Sequence, residues 1–480
     1  MSSEQYLYSQ VEQTIVERIR QGALLPGQRL PSLRSLSQRM GLSLATVSQA
    51  YAELERKGMV EAKPRSGYFV RRSLREPPPP VCAPALASPP REVTRAALIR
   101  SVLDALGRTE LLPLSAALPQ PDLLPTKALS RCLAEVMRTS AGRALDYEPV
   151  TGYPELLRQI AMLDLDNAPG SPGGLVITNG AMEALHIALR CVTRPGDNVI
   201  IQSPTYFCFL QLLESLQLRA IEIPSCPQRG IDPASLDQAL RSFSVAACVF
   251  TPNFNNPDGS LTPDEAKAEI VAMLAARSIP LIEDEIYGDL HFGPTRPHSC
   301  ARFDRQGLVL TCSSFSKTLA PGFRVGWLRP GRFHEKALAV KITTNVCTAS
   351  PMQIAIAEYL RSGAYTRHLR RLRQRLAEQA ATMRLAIGRH FPAGTRVTSP
   401  RGGLQLWIEL PGGADGTEYF RRARAEKIGV CPGTIFSTRD GFRNFVRICC
   451  GNTWSDEMEI GLKTLGRLAG EQCGKRNDGL

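Results

Sequence analysis

The sequence predicts a multi-domain protein: a small N-terminal α+β domain, then an α/β domain that carries a smaller α+β subdomain. Three observations carry this prediction. Residues 1–75 hold 12 Lys and Arg against 6 Asp and Glu, in three short amphipathic segments and a hairpin. Prolines are concentrated in residues 73–95. From about residue 111 apolar strands alternate with helices, which favours a largely parallel sheet.

We expect the domain boundaries to follow these changes in composition. The predicted units are an N-terminal domain (1–72), a linker (73–110) and a body (111–480). The body is divided into a large sheet domain (about 150–335) and a small subdomain (about 111–149 and 336–480).

Composition limits the class of protein. The 480 residues are 43% hydrophobic and 21% charged, as in soluble globular proteins, and the net charge of +13 suits a polyanionic partner. No apolar run approaches the length of a membrane span, and the N-terminus lacks a signal-peptide pattern. Thirteen cysteines without a Cys-x-x-Cys pair indicate reduced, buried thiols. We therefore expect a cytoplasmic protein with no metal ion and no membrane association.

The N-terminal domain is predicted to contain three helices and a hairpin. Ser32 can cap a helix over about 33–40, and Ser43 can cap another over about 44–57. Two strands, near 59–62 and 68–70, flank a basic loop. This arrangement is typical of a winged helix-turn-helix, whose third helix suits a DNA major groove. The alternative is a helical dimerisation module with a solvated positive face.

Four motifs of this domain resemble the GntR family of DNA-binding domains over residues 6–72: Leu30-Pro31-Ser32-Leu33-Arg34, Thr46-Val47-Ser48-Gln49-Ala50-Tyr51, Leu54-Glu55-Arg56-Lys57-Gly58 and Ser66-Gly67-Tyr68-Phe69-Val70. The resemblance implies binding of double-stranded DNA. Leu44 stands where many relatives have an arginine; its side chain can make an apolar contact with a thymine methyl group, and the departure leaves base specificity open. The other implied contacts are Arg34, Ser43, Thr46 and Ser48, with Arg65 and Gly67 in the wing.

The linker carries four consecutive prolines, Pro77 to Pro80, and three more follow before residue 91. Such a segment favours polyproline II, which is extended and semi-rigid. We expect it to be able to set the N-terminal domain well away from the body.

The body is organised around a loop with one lysine among small hydroxyl residues. Lys317 follows the apolar strand 308–312, and Ser314, Ser316 and Arg324 belong to the same loop. A partly desolvated amine can attack a carbonyl, and arginine suits a phosphate. These residues favour pyridoxal 5'-phosphate, held as a Schiff base on Lys317. The alternative is a solvated Ser/Lys turn.

Polar residues at other strand ends suit the same cofactor. The loop at Gly180 opens a helix whose backbone N–H groups can bind a phosphate. Tyr206 offers an aromatic face, and Asn256 can donate to the ring hydroxyl. Asp284 can pair with the pyridine nitrogen, and Tyr287 can reach the phenolic oxygen. Four of these residues have a structural alternative. The loop at Gly180 can be an ordinary glycine turn, and Tyr206 can belong to the core. Asn256 can belong to an Asn-Pro turn, and Asp284 can cap a helix.

This set resembles the class I/II aminotransferases, with the fold-type I architecture, over roughly residues 111–470. The resemblance implies that Lys317, Asp284 and Tyr287 are catalytic, and that Ala181, Met182, Ser314, Ser316 and Arg324 hold the phosphate. It also implies that Tyr147 reaches the phosphate of a neighbouring subunit. Arg447 would clamp a substrate carboxylate, with Arg443 as a rival.

The combination of a GntR-type domain, a proline-rich linker and an aminotransferase-like body resembles the MocR subfamily of bacterial regulators. The resemblance implies a head-to-tail homodimer that regulates transcription, with pyridoxal phosphate and an amine or amino acid as effector. Two alternatives remain open: a working aminotransferase with an attached DNA-binding domain, and a sensor of pyridoxal phosphate alone.

Overall fold

A computed structural model of the chain describes residues 4–20, 23–25, 27–63, 66–71, 76–82, 87–93, 96–103, 110–163, 174–439 and 441–474. No helix within those ranges combines the length and the apolarity that crossing a bilayer requires.

The N-terminal domain is a three-helix domain with a hairpin, as predicted. Its elements are α1 (Glu4–Arg20), α2 (Leu33–Met40), α3 (Leu44–Arg56), β1 (Val60–Lys63) and β2 (Gly67–Val70). The predicted caps are present: the side chain of Ser32 accepts from the Ser35 amide at 3.2 Å, and that of Ser43 accepts from the Thr46 amide at 3.0 Å. Tyr51 is fully buried and donates to the carbonyl of Pro31 at 2.8 Å, which holds α3 against the start of α2.

The body is built on an eight-stranded sheet in the order β3-β10-β9-β8-β7-β4-β5-β6. The five central strands are parallel, and β10 runs antiparallel to both β3 and β9. The strands are β3 (Val176–Thr178), β4 (Asn198–Ser203), β5 (Arg219–Cys226), β6 (Gly230–Ile231), β7 (Ala247–Phe250), β8 (Leu281–Asp284), β9 (Val309–Ser314) and β10 (Gly326–Arg329).

Helices cover both faces of this sheet. Ile201 packs in one apolar cluster and its neighbour Ile200 in another, because successive side chains of a strand point to opposite faces. The helices of the body are α4 (Ala96–Leu103), α5 (Thr126–Thr139), α6 (Ala141–Ala144), α7 (Pro154–Leu163), α8 (Ala181–Val192), α9 (Phe207–Ser215), α10 (Pro233–Ser242), α11 (Asp264–Ala276), α12 (His334–Thr344), α13 (Ser350–Arg361), α14 (Ala364–His390), α15 (Gly416–Ala425) and α16 (Asp456–Gly474).

A second, antiparallel sheet belongs to the C-terminal part of the chain, with the order β11-β12-β14-β13. Its strands pack with α14, α15 and α16 in a common apolar cluster. They are β11 (Arg396–Val397), β12 (Gln405–Glu409), β13 (Cys431–Pro432) and β14 (Phe445–Cys449). The predicted fold class, a winged helix-turn-helix joined to an α/β body with a smaller α+β part, is confirmed.

The linker lies against the body, which corrects the expectation that it can hold the N-terminal domain well away. Arg91 and Ala220 exchange backbone hydrogen bonds of 3.0 and 2.8 Å at the β5 edge of the large sheet. Ser88 is buried, and its amide donates to the carbonyl of Glu222 at 2.9 Å. Composition predicted an extended chain, but it carries no information on which sheet edge that chain pairs with.

A disulfide between Cys82 and Cys226 fixes the same segment, so the expectation of reduced thiols throughout was wrong. The two cysteines are 144 residues apart, and their Cα atoms lie 5.4 Å from each other. They meet because the linker follows β5, a pairing that cysteine spacing does not reveal. The other eleven cysteines are free and mostly buried.

The N-terminal domain packs directly on α14. Leu385 of α14 is 8% exposed and belongs to the hydrophobic core of the N-terminal domain, together with Val11 and Leu54. The side chain of Gln13 donates to Glu378 of the same helix at 3.0 Å.

The end of α3 meets the body at a glycine. Gly58 has φ +66°, and a Cβ there would lie 2.0 Å from a guanidinium nitrogen of Arg389. The left-handed backbone conformation therefore favours glycine, and the Arg389 guanidinium occupies the space beside it. Beside it, Arg56 donates to the carbonyl of Trp454 at 3.3 Å.

Candidate cofactor site and nucleic-acid interface

A cavity of about 200 Å³ lies at the carboxyl ends of the central parallel strands, where ligands bind in sheets of this type. Ten of the residues predicted for the cofactor line it: Ala181, Met182, Tyr206, Asn256, Asp284, Tyr287, Ser314, Ser316, Lys317 and Arg324. Gly180 is the residue immediately before α8. The fold thus brings together residues that are up to 144 positions apart, from Gly180 to Arg324.

Lys317 presents an amine suited to attack on a carbonyl. Its Nζ donates to the carbonyl of Ala117 at 2.8 Å. Burial lowers the pKa of Lys317 to about 8, since the charged form loses solvation in the cavity. A substantial fraction of the amine is therefore neutral at mildly alkaline pH.

The start of α8 and the loop after β9 form a site for an anion. Arg324 donates to the hydroxyl of Ser316 at 3.3 Å and to the carbonyl of Asn179 at 3.2 Å. Gly180 has φ +81°, and a Cβ there would lie 2.4 Å from a guanidinium nitrogen of Arg324. Within the described part of the chain Arg324 has no carboxylate partner. A cation beside a helix N-terminus, without an anion, fits the phosphate of the cofactor.

Asp284 is the carboxylate that faces the cavity. Its neighbours are engaged elsewhere: Glu283 accepts from the Cys300 amide at 2.7 Å, and Glu285 pairs with Arg296 at 3.0 Å. Burial raises the pKa of Asp284 to about 7, and the nearby charge of Glu285 contributes to the rise. A protonated ring nitrogen would stabilise the Asp284 carboxylate, so the residue fits the pyridine end of the cofactor.

Asn256 and Tyr287 meet on one side of the cavity. The amide of Asn256 donates to the phenolic oxygen of Tyr287 at 3.4 Å, and burial raises the pKa of Tyr287. Tyr206 presents its ring to the same cavity from the start of α9, and burial raises its pKa as well. Both phenols are therefore neutral donors.

Arg447 is a buried cation beside this group. It is 2% exposed, and its guanidinium donates to the side chain of Asn256 at 3.3 Å and to the carbonyl of Ser115. No carboxylate pairs with it among the described residues. The rival Arg443 is exposed. Burial of an uncompensated charge is costly, so the arrangement suits a carboxylate that arrives with a ligand.

Tyr147 lies apart from the cavity, with 82% of its surface exposed. Its predicted contact with a neighbouring subunit remains a prediction.

The predicted DNA-binding residues lie on the N-terminal domain with differing exposure. Arg34, Ser43 and Gly67 are exposed, Leu44 is 47% exposed, and Ser48 is half-buried. Thr46 is buried, and its hydroxyl lies 2.7 Å from that of Ser43, so it supports the helix start instead of presenting a free side chain. Arg65 lies outside the described residues. All seven contacts with DNA remain predictions.

Sequence reasoning missed the segment before α5 that closes the site. The carbonyls of Ser115 and Ala117 bind Arg447 and Lys317, and Leu118 lines the cavity. Backbone acceptors leave no signal in the sequence, because every residue has one.

Comparison with known proteins agrees with this architecture. Residues 119–465 match the model of the family "Aminotransferase class I and II", and residues 7–70 match "Bacterial regulatory proteins, gntR family". The uncharacterized HTH-type transcriptional regulator YjiR of Escherichia coli is 36% identical over 96% of this chain and 98% of its own length. The 2-aminoadipate transaminase of Thermus thermophilus is 29% identical over 78% of this chain and 94% of its own.

A solved structure supports the fold of the body. LysN, the α-aminoadipate aminotransferase of Thermus thermophilus complexed with N-(5'-phosphopyridoxyl)-L-leucine, has 28% identity and a TM-score of 0.72. The match covers 78% of this chain and 95% of that one.

The chain therefore belongs to the class I and II aminotransferase family, and its gntR-family domain gives it the architecture of the MocR subfamily of regulators. It is a GntR-type DNA-binding regulator fused to an aminotransferase domain. The aminotransferase fold implies pyridoxal phosphate as the cofactor, and the residues around the cavity fit that group.

Proposed function

We propose that the chain is a transcriptional regulator whose body binds pyridoxal phosphate covalently on Lys317 and senses an amine or amino acid. The observation that carries this proposal is the cavity, which is lined by the Lys317 amine of lowered pKa and by the Arg324 guanidinium. Beside it, buried Arg447 contacts Asn256 of the lining and has no carboxylate partner among the described residues. The regulators among its relatives, which match along nearly their whole length, support the regulatory part.

Each part of the cofactor has residues of suitable chemistry. Gly180, Ala181, Met182, Ser314, Ser316 and Arg324 would hold the phosphate. Asp284 would pair with the ring nitrogen, Asn256 and Tyr287 would donate to the ring oxygen, and Tyr206 would stack on the ring. When bound, the cofactor supplies an aldehyde that captures amines and a ring that withdraws electrons.

The effector class follows from Arg447. A planar guanidinium binds a carboxylate through two parallel hydrogen bonds, and such bonds are strong when buried. Arg447 contacts Asn256, which lines the cofactor cavity. A ligand with an amine for the cofactor and a carboxylate for Arg447 is an amino acid.

Borohydride reduction tests the cofactor assignment. The protein loaded with pyridoxal phosphate should show a visible absorption band, and reduction should fix the cofactor on the peptide that contains Lys317. Lys336 is exposed and serves as a reference lysine in the same digest. Label on another lysine in place of Lys317 would refute the assignment.

A working aminotransferase is the second candidate, because the residue types for transamination surround one cavity. Incubation with amino donors and a keto acid separates the candidates. An enzyme forms product over many cycles, whereas a sensor reacts at most once per site. A response of DNA binding to pyridoxal phosphate without any amino acid would favour the third candidate, a sensor of the cofactor alone.

We further propose a homodimer in the cytoplasm, with functional units at 1–72, 73–110 and 111–480. Leu145 and Tyr147 are 77% and 82% exposed, which suits a face covered by a second copy of the chain. Light scattering tests the dimer, and a monomer at micromolar concentration would contradict it.

A further inference from the structure

Helix α14 begins at the cofactor loop. The Nε2 of His368 donates to the carbonyl of Thr318 at 2.7 Å, and the hydroxyl of Tyr365 donates to the Thr318 side chain at 3.0 Å. Thr318 follows Lys317 directly in the chain. Because a carbonyl can only accept, Nε2 carries a proton, and burial lowers the pKa of His368, which favours the neutral ring.

The middle of α14 packs behind the site. Leu372 and Leu376 are buried in a cluster that includes Tyr287 and Cys449. Tyr287 lines the cofactor cavity. The helix therefore touches the site at two positions, through hydrogen bonds at its start and through packing one to two turns later.

The second half of α14 packs against the N-terminal domain. Glu378 accepts from Gln13, Leu385 completes the core of that domain, and Arg389 lies against Gly58 at the end of α3. The helix has 27 residues and spans about 40 Å. One continuous helix therefore connects the contacts at the cofactor loop with those at the N-terminal domain.

The Nζ of Lys317 donates to the carbonyl of Ala117. A cofactor bound covalently to this nitrogen would compete with that hydrogen bond, so the contacts of Lys317 would differ in the loaded protein. Thr318 is the next residue, and its carbonyl and its hydroxyl both hydrogen-bond to α14.

We propose that α14 couples occupancy of the cofactor site to the packing of the DNA-binding domain, and that His368 is the positioning residue that joins Lys317 to the helix. This inference rests on the proposed function, and it adds the route by which the site would regulate DNA binding. Coupling between sites is a difference in free energy and requires an element that both sites bias.

Hydrogen exchange of the full chain tests the coupling without knowledge of the operator. In the wild type, loading with pyridoxal phosphate should change the exchange of amides in α1 and the last turn of α3 by about fivefold or more. His368→Leu should keep the visible band but lose this change. His368→Gln keeps a donor and should restore it, at least in part.

Two further variants complete the experiment. Arg367→Gln alters an exposed residue of the same helix and should behave as the wild type. Tyr365→Phe removes only a hydroxyl and should weaken the hydrogen-exchange response of α1. It serves as the test variant in case His368→Leu does not fold.

A visible band without any response in α1 would overturn the inference and leave the cofactor assignment standing. An unchanged response in His368→Leu would also overturn it. Absence of the band in the wild type would instead refute the proposed function.

Discussion

The cofactor cavity and the DNA-binding face hold their polar groups in different ways. Lys317, Asp284 and Arg447 are confined, and protein atoms or burial set their charge and direction. Arg34 and Leu44 project into solvent from a domain whose core fixes only the backbone beneath them. The chemistry of the buried site can therefore be inferred from individual side chains. The function of the DNA-binding face depends instead on the fold of its domain and on its overall charge. The following predictions test this difference.

Loss of Lys317 should have the largest effect. Lys317→Ala removes the amine that captures the cofactor, so the visible band should disappear completely while the far-UV circular dichroism stays unchanged. Lys336→Ala removes an exposed lysine and should keep the band. A normal band in Lys317→Ala would mean that another amine carries the cofactor.

Alanine substitutions of Arg447 and Arg443 should have very different effects on amino acid binding. Arg447→Ala removes the guanidinium proposed to bind the carboxylate, and truncation of one partner of a buried charge pair costs about 2–5 kcal/mol. We expect the amino acid concentration that shifts the absorption band to rise roughly 30- to 4000-fold. The exposed Arg443 should tolerate alanine. Equal effects of the two substitutions would contradict the assignment.

The pH dependence of stability should report the burial of Asp284. Its pKa is about 7 in the folded, cofactor-free protein against 3.8 ordinarily, so the folded state binds the proton more tightly. Protonation of the Asp284 carboxyl therefore adds to the free energy of unfolding, and this added stability is lost as the pH rises towards 7. Between pH 5 and 8 the wild type should lose on the order of 2–3 kcal/mol relative to Asp284→Asn.

Urea unfolding of both cofactor-free proteins at the two pH values measures that difference. Asp122→Asn removes an exposed carboxylate and serves as the control. Parallel pH profiles for wild type and Asp284→Asn would show that the carboxyl is not held in its neutral form.

Single substitutions on the DNA-binding face should have the smallest effects. Arg34→Ala should weaken the full chain's binding to DNA by about fivefold and reduce the salt dependence, if the contact is to phosphate. Arg18→Ala, on α1, removes an exposed arginine outside the predicted contacts and should change affinity less. Leu44→Ala should alter preference at one base pair more than overall affinity. A uniform loss of affinity across sequences in Leu44→Ala would contradict direct readout.

The sequence allowed the fold and most residues of the cavity to be predicted, because both depend on local patterns. Asp284 ends one apolar strand and Lys317 lies shortly after another, and parallel strands bring their ends together. The position of the linker depends on pairing across the fold: Ser88 and Cys82 meet β5 through contacts that no spacing reveals. The same holds for Leu385, which reads as one more apolar residue of a long helix yet completes the core of another domain.

The affinity of the full chain for DNA, measured with and without the bound ligands, tests the central claim most directly. A duplex enriched by the full chain from a random pool serves as the probe. The account predicts that an amino acid added to the protein loaded with pyridoxal phosphate changes the dissociation constant by about fivefold or more, without repeated turnover. An unchanged dissociation constant, together with many cycles of transamination, would contradict it and identify the body as an enzyme that the DNA-binding domain merely carries.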